Sequence, residues 1–333
     1  MKKEERIAAF AKLGERLRSD ETLLRFRQPN SWFTAGSVDH RVRAIAGQLT
    51  PKNLEKWLSA YSFPENPSPK TVAVIMAGNI PLVGFHDYMS VLLSGHRLLG
   101  KLSSDDRLLL PALAQLLTEI EPRFADRFRL TEGRINEMDA VIATGSNNSA
   151  RYFEHYFGKY PHIIRKNRHG VAVLTGNESP EQLRALAADV FRYFGLGCRN
   201  VTKIFVPRNY SFNALYGEFF HWGEELMAHT KYMNNYEYNK AVYLLNRQTL
   251  LDNNFLLLKE DIGLSSPPGV LFFERYDNLE QVVERLRTDK ENIQCVVAEE
   301  LEGIPTVGFG ESQSPALWDY ADGVDTMTFL QQL

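Results

Sequence analysis

Short apolar runs alternate along this chain with stretches of helical periodicity, and that alternation restricts the fold more than any other feature. Thr71-Val72-Ala73-Val74-Ile75-Met76-Ala77 is too short and too rich in β-branched residues for a helix and reads as a buried strand. A helix is expected over 84–94, a strand over 97–102, a helix over 105–121, a strand over 140–144 and a helix over 147–157. From Val171 the same pattern restarts: strand 171–175, helix 180–194, strand 203–207, helix 211–228, strand 271–274, helix 279–287 and strand 293–297. Strands alternating with helices imply an α/β architecture with a parallel, doubly wound sheet.

Two helical segments precede the first strand. Residues 4–26 carry Ile7, Phe10, Leu13 and Leu17 at helical spacing, and 37–61 is interrupted near Pro51. The second ends in the turn-rich connector Tyr61-Ser62-Phe63-Pro64-Glu65-Asn66-Pro67-Ser68-Pro69. A boundary near Gly170 divides the chain into an N-terminal unit, 1–170, and a second unit, 171–302. The tail, about 303–333, reads as loops and can pack back on the first unit.

Composition narrows the function. A net charge of −3 gives no global field to recruit nucleic acid or an anionic membrane. No stretch approaches the roughly 20 apolar residues that span a bilayer. The N-terminus is charged and resembles no signal peptide, and 2 cysteines in 333 residues make no disulfide framework, so a reducing cytoplasm is the simplest location. The 8 histidines lack metal-ligand spacing, so no metal is expected.

Cys198 sits in Phe194-Gly195-Leu196-Gly197-Cys198-Arg199-Asn200. Flanking glycines permit tight backbone geometry, and an adjacent arginine favours thiolate. The residue is a nucleophile in one reading and a small buried hydrophobe in the other. Cys295, inside an apolar run, reads as core. Asn79 follows the first strand, where ligands of open parallel sheets bind. Its amide suits an oxyanion, and Asn-x-Pro equally suits a turn. Lys101 at the end of the next strand suits a ribose hydroxyl or a 2′-phosphate, and Ser103 and Ser104 suit helix capping or phosphate. Thr144, Gly145 and Ser146 form a small, donor-rich turn opening a helix, the setting of a phosphate cradle, without the GxGxxG fingerprint. His169 is a proton carrier or a structural residue. Phe191, Tyr193, Phe194, Phe219, Phe220, His221 and Trp222 line an acyl channel or fill the core, and the polar-aromatic segment 232–239 borders a substrate entrance.

In this order the motifs resemble the aldehyde dehydrogenase superfamily: a strand ending in Asn-x-Pro, a strand ending in Lys-x-Ser, Thr-Gly-Ser before a helix, then a glycine-flanked cysteine. Pro268-Gly269-Val270 and Tyr276-Asp277 are similar to its late segments. Within it, the chain is most similar to the LuxC-type acyl-CoA reductases. That resemblance implies a Rossmann-type nucleotide-binding domain with an α/β catalytic domain, and NADPH-linked reduction of a long-chain fatty acyl-CoA, or an acyl-protein, to the aldehyde through an acyl-cysteine. NADH also fits. By position, Cys198 is then the nucleophile, Asn79 the oxyanion donor, and Lys101, Ser103, Thr144, Gly145 and Ser146 lie on the nucleotide path. A homo-oligomer or an acyl-donor partner protein fits the same resemblance. Two departures stand out. The stretch Arg165-Lys166-Asn167-Arg168-His169-Gly170 has no carboxylate where aldehyde-oxidising members carry a water-activating glutamate, and the residues before Pro267 lack the glutamate that holds the nicotinamide ribose. The second departure keeps open acyl transfer or thioesterase-like chemistry without hydride transfer, and a non-catalytic partner-binding scaffold is a third reading.

Overall fold

A computed structural model describes residues 1–19, 23, 29–63 and 68–333. The chain divides into two compact units, residues 1–167 with 316–333, and residues 168–315. Parts of the expected first helix and of the connector before the first strand, at 20–22, 24–26 and 64–67, lie outside the described residues.

The first unit is built on five parallel strands in the order β3-β2-β1-β4-β5: β1 (Thr71–Ile75), β2 (Arg97–Lys101), β3 (Phe128–Thr131), β4 (Ala140–Thr144) and β5 (His162–Arg165). β1 pairs with β2 on one side and β4 on the other, so the winding reverses at β1. That reversal opens the crevice in which doubly wound sheets bind ligands. The alternation of β1 explains its burial on both faces. Val72 and Val74 join the large core beneath α1 (Lys3–Ser19), α2 (Ala35–Gln48), α3 (Pro51–Ser59), α4 (Phe85–Ser94) and α5 (Leu109–Ile120). Ala73 and Ile75 face Phe153 and Phe157 of α6 (Asn147–Phe157).

Local chemistry sets the helix starts. Thr34 and Thr50 accept the Ser37 and Asn53 amides at 3.1 and 3.2 Å, and Pro51 follows the second cap at a position where it lacks no needed donor. The expected helix over 105–121 begins later, at Leu109. Residues 103–106 close a turn instead, with the Asp106 amide donating to Ser103 O at 3.2 Å, so neither Ser103 nor Ser104 caps the helix.

The second unit carries six strands in the order β11-β6-β7-β10-β9-β8. These are β6 (His169–Val173), β7 (Val201–Pro207), β8 (Leu251–Asp252), β9 (Leu257–Glu260), β10 (Val270–Tyr276) and β11 (Ile293–Val297). Only the β8–β9 pair is antiparallel. α7 (Pro180–Phe191) opens on a reciprocal capping box between Ser179 and Gln182. The expected helix over 211–228 is two, α8 (Asn213–Phe219) and α9 (Gly223–Ala228). Residues 232–239 lie within a further helix, α10 (Thr230–Leu245), and α11 (Leu279–Thr288) precedes β11. In the tail, α12 (Thr326–Gln331) packs on α4 in the first unit. Among the described residues no helix is long and apolar enough to cross a membrane.

Candidate functional site

Cys198 lies in the connection from α7 to β7. The Asn200 amide donates to Gly197 O at 3.0 Å, closing a four-residue turn with Cys198 at its second position and exposed. α7 stops at Phe191 rather than at Phe194. Tyr193 (φ 54°), Phe194 (φ 58°) and Gly195 (φ 78°) then follow in the left-handed region, which costs each of the two side-chain-bearing residues about 1–2 kcal/mol. One residue holds this reversal. Asn200 is completely buried. Its Oδ1 accepts the Gly197 N–H at 2.7 Å. Its Nδ2 donates to the carbonyls of Asp189, Val190 and Arg192 at 3.0, 3.2 and 2.8 Å. The carboxamide thus satisfies the last carbonyls of α7 and the first amide of the cysteine turn at once.

The turn rests on the start of β6. The Gly170 N–H donates to Asn200 O at 3.0 Å, and a Cβ at Gly170 would lie 2.6 Å from Arg199 O. Only glycine allows that approach. Beneath the turn, Cys295 donates through Sγ to Arg199 O at 3.7 Å. Burial pushes its thiol up to about 12, against the opposing charge of Arg199, so Cys295 is a core thiol. His169 begins β6 at the same edge of the sheet, with its pKa lowered by burial. The segment before β10 is tied to the same region. Thr202 Oγ1 donates to Leu264 O at 2.6 Å, and Ser266 Oγ lies 2.8 and 2.7 Å from Thr202 O and Val270 O.

The aromatic residues divide between two roles. Phe191, Phe219, Trp222 and Phe255 form a packed cluster with ring centroids 5.3–6.0 Å apart. Phe220 is 69% exposed and takes no part in it. Phe194 stacks on His229 at 4.0 Å and lies 6.1 Å from the Tyr232 ring, so the segment expected near a substrate entrance packs against the strained turn leading to Cys198. Tyr232 is buried and donates to Phe255 O at 3.0 Å. Phe194, Tyr232, Gly195 and the Ser266–Val270 segment enclose a cavity of about 20 Å³, room for one water molecule.

In the first unit, the other candidates share one edge of a sheet. Asn79, Lys101, Ser103, Thr144, Gly145 and Ser146 all lie at or just beyond the carboxyl ends of β1, β2 and β4. Asn79 is exposed. Gly78, just before it, packs so tightly on Ser103 that a Cβ there would lie 2.3 Å from the serine Oγ. Leu82, three residues after Asn79, has φ 53° and gives its N–H to Asp106 Oδ2 at 2.7 Å. Lys101 Nζ donates to Gly133 O at 3.3 Å. Ser146 caps α6 by accepting the Ser149 N–H at 3.1 Å. Thr144 Oγ1 accepts from Arg165 at 3.4 Å, and that guanidinium forms a buried two-point ion pair with Asp87 at 2.6 and 3.0 Å. The hydroxyls of Thr144 and Ser146 are thus both engaged within the protein, while Ser146 stands at the start of α6. Gly145 lets the Phe153 ring and Ser149 close on the strand end, where a Cβ would lie 2.9 Å from each.

Motif reading singled out Asn79 and Cys198 but passed over Asn200 and Asp106, whose partners are distant in sequence or are backbone groups. The adjacency of Asn200 to the cysteine was the available signal for the first. Nothing local marked the second.

A model of the acyl-CoA reductase (LuxC) family matches residues 3–221. No curated protein matches the chain by sequence. Aldehyde dehydrogenase 21 from Physcomitrella patens, in complex with its reaction product succinate, aligns with a TM-score of 0.73 at 13% identity, over 100% of this chain and 84% of that one. An NADP-dependent enzyme from E. coli aligns with a TM-score of 0.70 at 13% identity, over 93% and 78%. A mutant of aldehyde dehydrogenase C from Pseudomonas syringae, complexed with NAD+ and octanal, gives 0.65 at 13% identity, over 91% and 73%. The fold is that of the aldehyde dehydrogenases.

Proposed function

The chain belongs to the acyl-CoA reductase (LuxC) family, oxidoreductases acting on acyl groups, and from that premise we propose that it reduces a long-chain fatty acyl thioester to the aldehyde through an acyl-cysteine on Cys198, with NADPH as the preferred reductant. The observation that carries this reading is the exposed Cys198 at a glycine-flanked turn that one buried asparagine braces from within.

Cys198 Sγ, as thiolate, attacks the thioester carbonyl carbon. A carbon–sulfur bond forms and the carbonyl electrons move to oxygen. The Asn79 amide and the Cys198 backbone N–H are the donors proposed for that oxyanion, each contributing roughly 3 kcal/mol. Collapse expels CoA as thiolate, which takes up a proton, and leaves the acyl group on sulfur. A reduced nicotinamide dinucleotide, if held by Lys101, Ser103 and the backbone of residues 144–146, would supply the hydride, and with it the two electrons, that the acyl carbon needs to reach the aldehyde level. The tetrahedral alkoxide that hydride addition leaves on Cys198 collapses with cleavage of the carbon–sulfur bond, releasing aldehyde and regenerating the Cys198 thiolate.

The edge of the first sheet supports a dinucleotide. β1 and β4 flank the point of reversed winding, α6 opens directly beyond β4, and Lys101 offers a cation at the end of β2. Lys101, Ser103 and the backbone of Thr144, Gly145 and Ser146 are the residues that would hold it. The stretch 165–170 supports reduction over hydrolysis, because it carries no carboxylate to activate water beside the acyl-enzyme. His169, neutral near pH 7 because burial lowers its pKa, is assigned a structural role.

A second reading, acyl transfer without hydride, draws on Ser266. Its hydroxyl is committed to Thr202 O and Val270 O, at the place where a ribose-binding glutamate is missing. One experiment separates the two. The protein is incubated with a long-chain acyl-CoA and NADPH while absorbance of the reduced nicotinamide is followed. Loss of absorbance with release of aldehyde supports reduction. Discharge of the acyl-enzyme with no change in absorbance refutes it.

A further inference from the structure

We infer that Asp106 is a positioning residue for Asn79: its buried carboxylate braces the Gly78–Leu82 corner from behind and loses its grip on that corner when it takes up a proton. This rests on the reading of Asn79 as oxyanion donor.

The corner is gripped at both ends by one turn. At its start, Gly78 lies directly against Ser103. At its end, the Leu82 N–H donates to Asp106 Oδ2 at 2.7 Å. Ser103 and Asp106 belong to the same turn, closed by the Asp106 amide donating to Ser103 O at 3.2 Å. Asn79 sits between the two grips, on a segment stiffened by Pro81. Leu82 lies in the left-handed region that leucine resists, so its backbone needs outside support. The carboxylate supports its N–H, and Arg41 Nη2 and the Phe85 amide support its carbonyl at 3.4 and 3.1 Å. Asp106 acts on Asn79 through the backbone of the Gly78–Leu82 corner, by way of the Leu82 N–H.

The carboxylate is also titratable where an enzyme works. Asp106 is 6% exposed, and burial pushes its pKa up to about 6, against the Leu82 and Leu109 amides and the charge of Arg41. The charged and titratable groups around it are few. Arg41 comes from α2, and His86, in the first turn of α4, feels the same arginine and has its own pKa lowered by burial. Asp105 and Arg107 flank it in sequence and are exposed. Protonation removes the charge that strengthens the Leu82 hydrogen bond.

The test compares two reactions of Cys198 between pH 5 and 8. Acylation by an acyl-CoA needs thiolate and oxyanion donors, whereas alkylation by iodoacetamide needs thiolate alone. Their rate ratio therefore isolates the oxyanion corner. In the wild type the ratio should fall about tenfold below a midpoint near pH 6, the scale expected of a sub-ångström misplacement. D106N should show the low ratio throughout, without the inflection. In N79A the ratio should be flat with pH, and D106N added to N79A should cost nothing more. A flat wild-type ratio, a D106N ratio equal to wild type, or losses that multiply in the double variant would overturn the inference. The wild-type and N79A profiles decide it even where D106N fails to fold. Wild-type protein that forms no acyl adduct overturns the underlying reading and this inference with it, whereas acylation with a pH-independent ratio overturns the inference alone.

Discussion

Replacing Asn200 tests whether the cysteine turn is braced as described. The carboxamide is fully buried and bonded to four backbone groups, one amide and three carbonyls. Its two N–H groups are shared among the three carbonyls, so truncation to alanine orphans the Gly197 amide and about two carbonyl bonds. Each orphaned buried group costs about 1–3 kcal/mol. Rewetting through the exposed turn recovers part of that, so N200A should destabilise the second unit by roughly 3–5 kcal/mol. Aspartate sharpens the test because it differs from asparagine by almost nothing in shape. In N200D the carboxylate still accepts the Gly197 N–H, but it turns an oxygen toward three carbonyl oxygens and buries an unpaired charge. N200D should therefore be less stable than N200A at pH 7. Urea unfolding followed by circular dichroism gives the order of stability. The rate of Cys198 alkylation, measured on the folded fraction, reports whether the turn has moved. If N200D were as stable as the wild type, or more stable than N200A, the assignment of Asn200 as the brace would be wrong.

Other predictions follow from the first unit. Asn79→Ala should slow Cys198 acylation about 100-fold or more in rapid-quench measurements, while alkylation stays unchanged; an unchanged acylation rate assigns Asn79 to turn geometry alone. Lys101→Ala should weaken binding of NADPH more than of NADH in fluorescence titrations, and equal weakening places Lys101 on the ribose. Asp106 predicts opposite effects on stability and activity. Its pKa of about 6 lies above the ordinary 3.8, so the folded state holds the proton more tightly and the ionised form is destabilising. That cost grows as pH rises through about 4 to 6 and levels off near ~3 kcal/mol above this window. Asp106→Asn should accordingly unfold at a higher temperature than the wild type at pH 7 and show little difference at pH 4. A lower melting temperature at pH 7 contradicts the sign.

The parts of the fold legible in the sequence are those buried on both faces. β1 and β4 announce themselves as continuous apolar runs because helices cover both sides of the central strands. β3 and β5 are the edge strands of the first sheet, and Phe128-Arg129-Leu130-Thr131 and His162-Ile163-Ile164-Arg165 are short and partly polar, so no apolar run marks them. α10 buries only Tyr232 and Tyr236 and so lacks the broad apolar stripe by which a helix is recognised. The candidate site's motifs are legible in the sequence, and the residues that support them are not. Glycines around a cysteine and an Asn-x-Pro after a strand are local patterns. That Asn200 turns back to the carbonyls at the end of α7 depends on the chain reversal at 193–195, and that Asp106 crosses to Leu82 depends on how segments 24 residues apart fold together. Two expected helices are shorter than their periodicity suggests, with α7 ending at Phe191 and α5 beginning at Leu109.

Acylation of Cys198 is the step from which the rest of the proposed chemistry follows. Mass spectrometry of the intact protein after exposure to a panel of acyl-CoAs should show one acyl group added, mapped to Cys198, discharged as aldehyde on addition of NADPH and missing from a folded Cys198→Ala variant. No adduct on the wild type, an adduct on Cys295, or equal labelling of the alanine variant would contradict it.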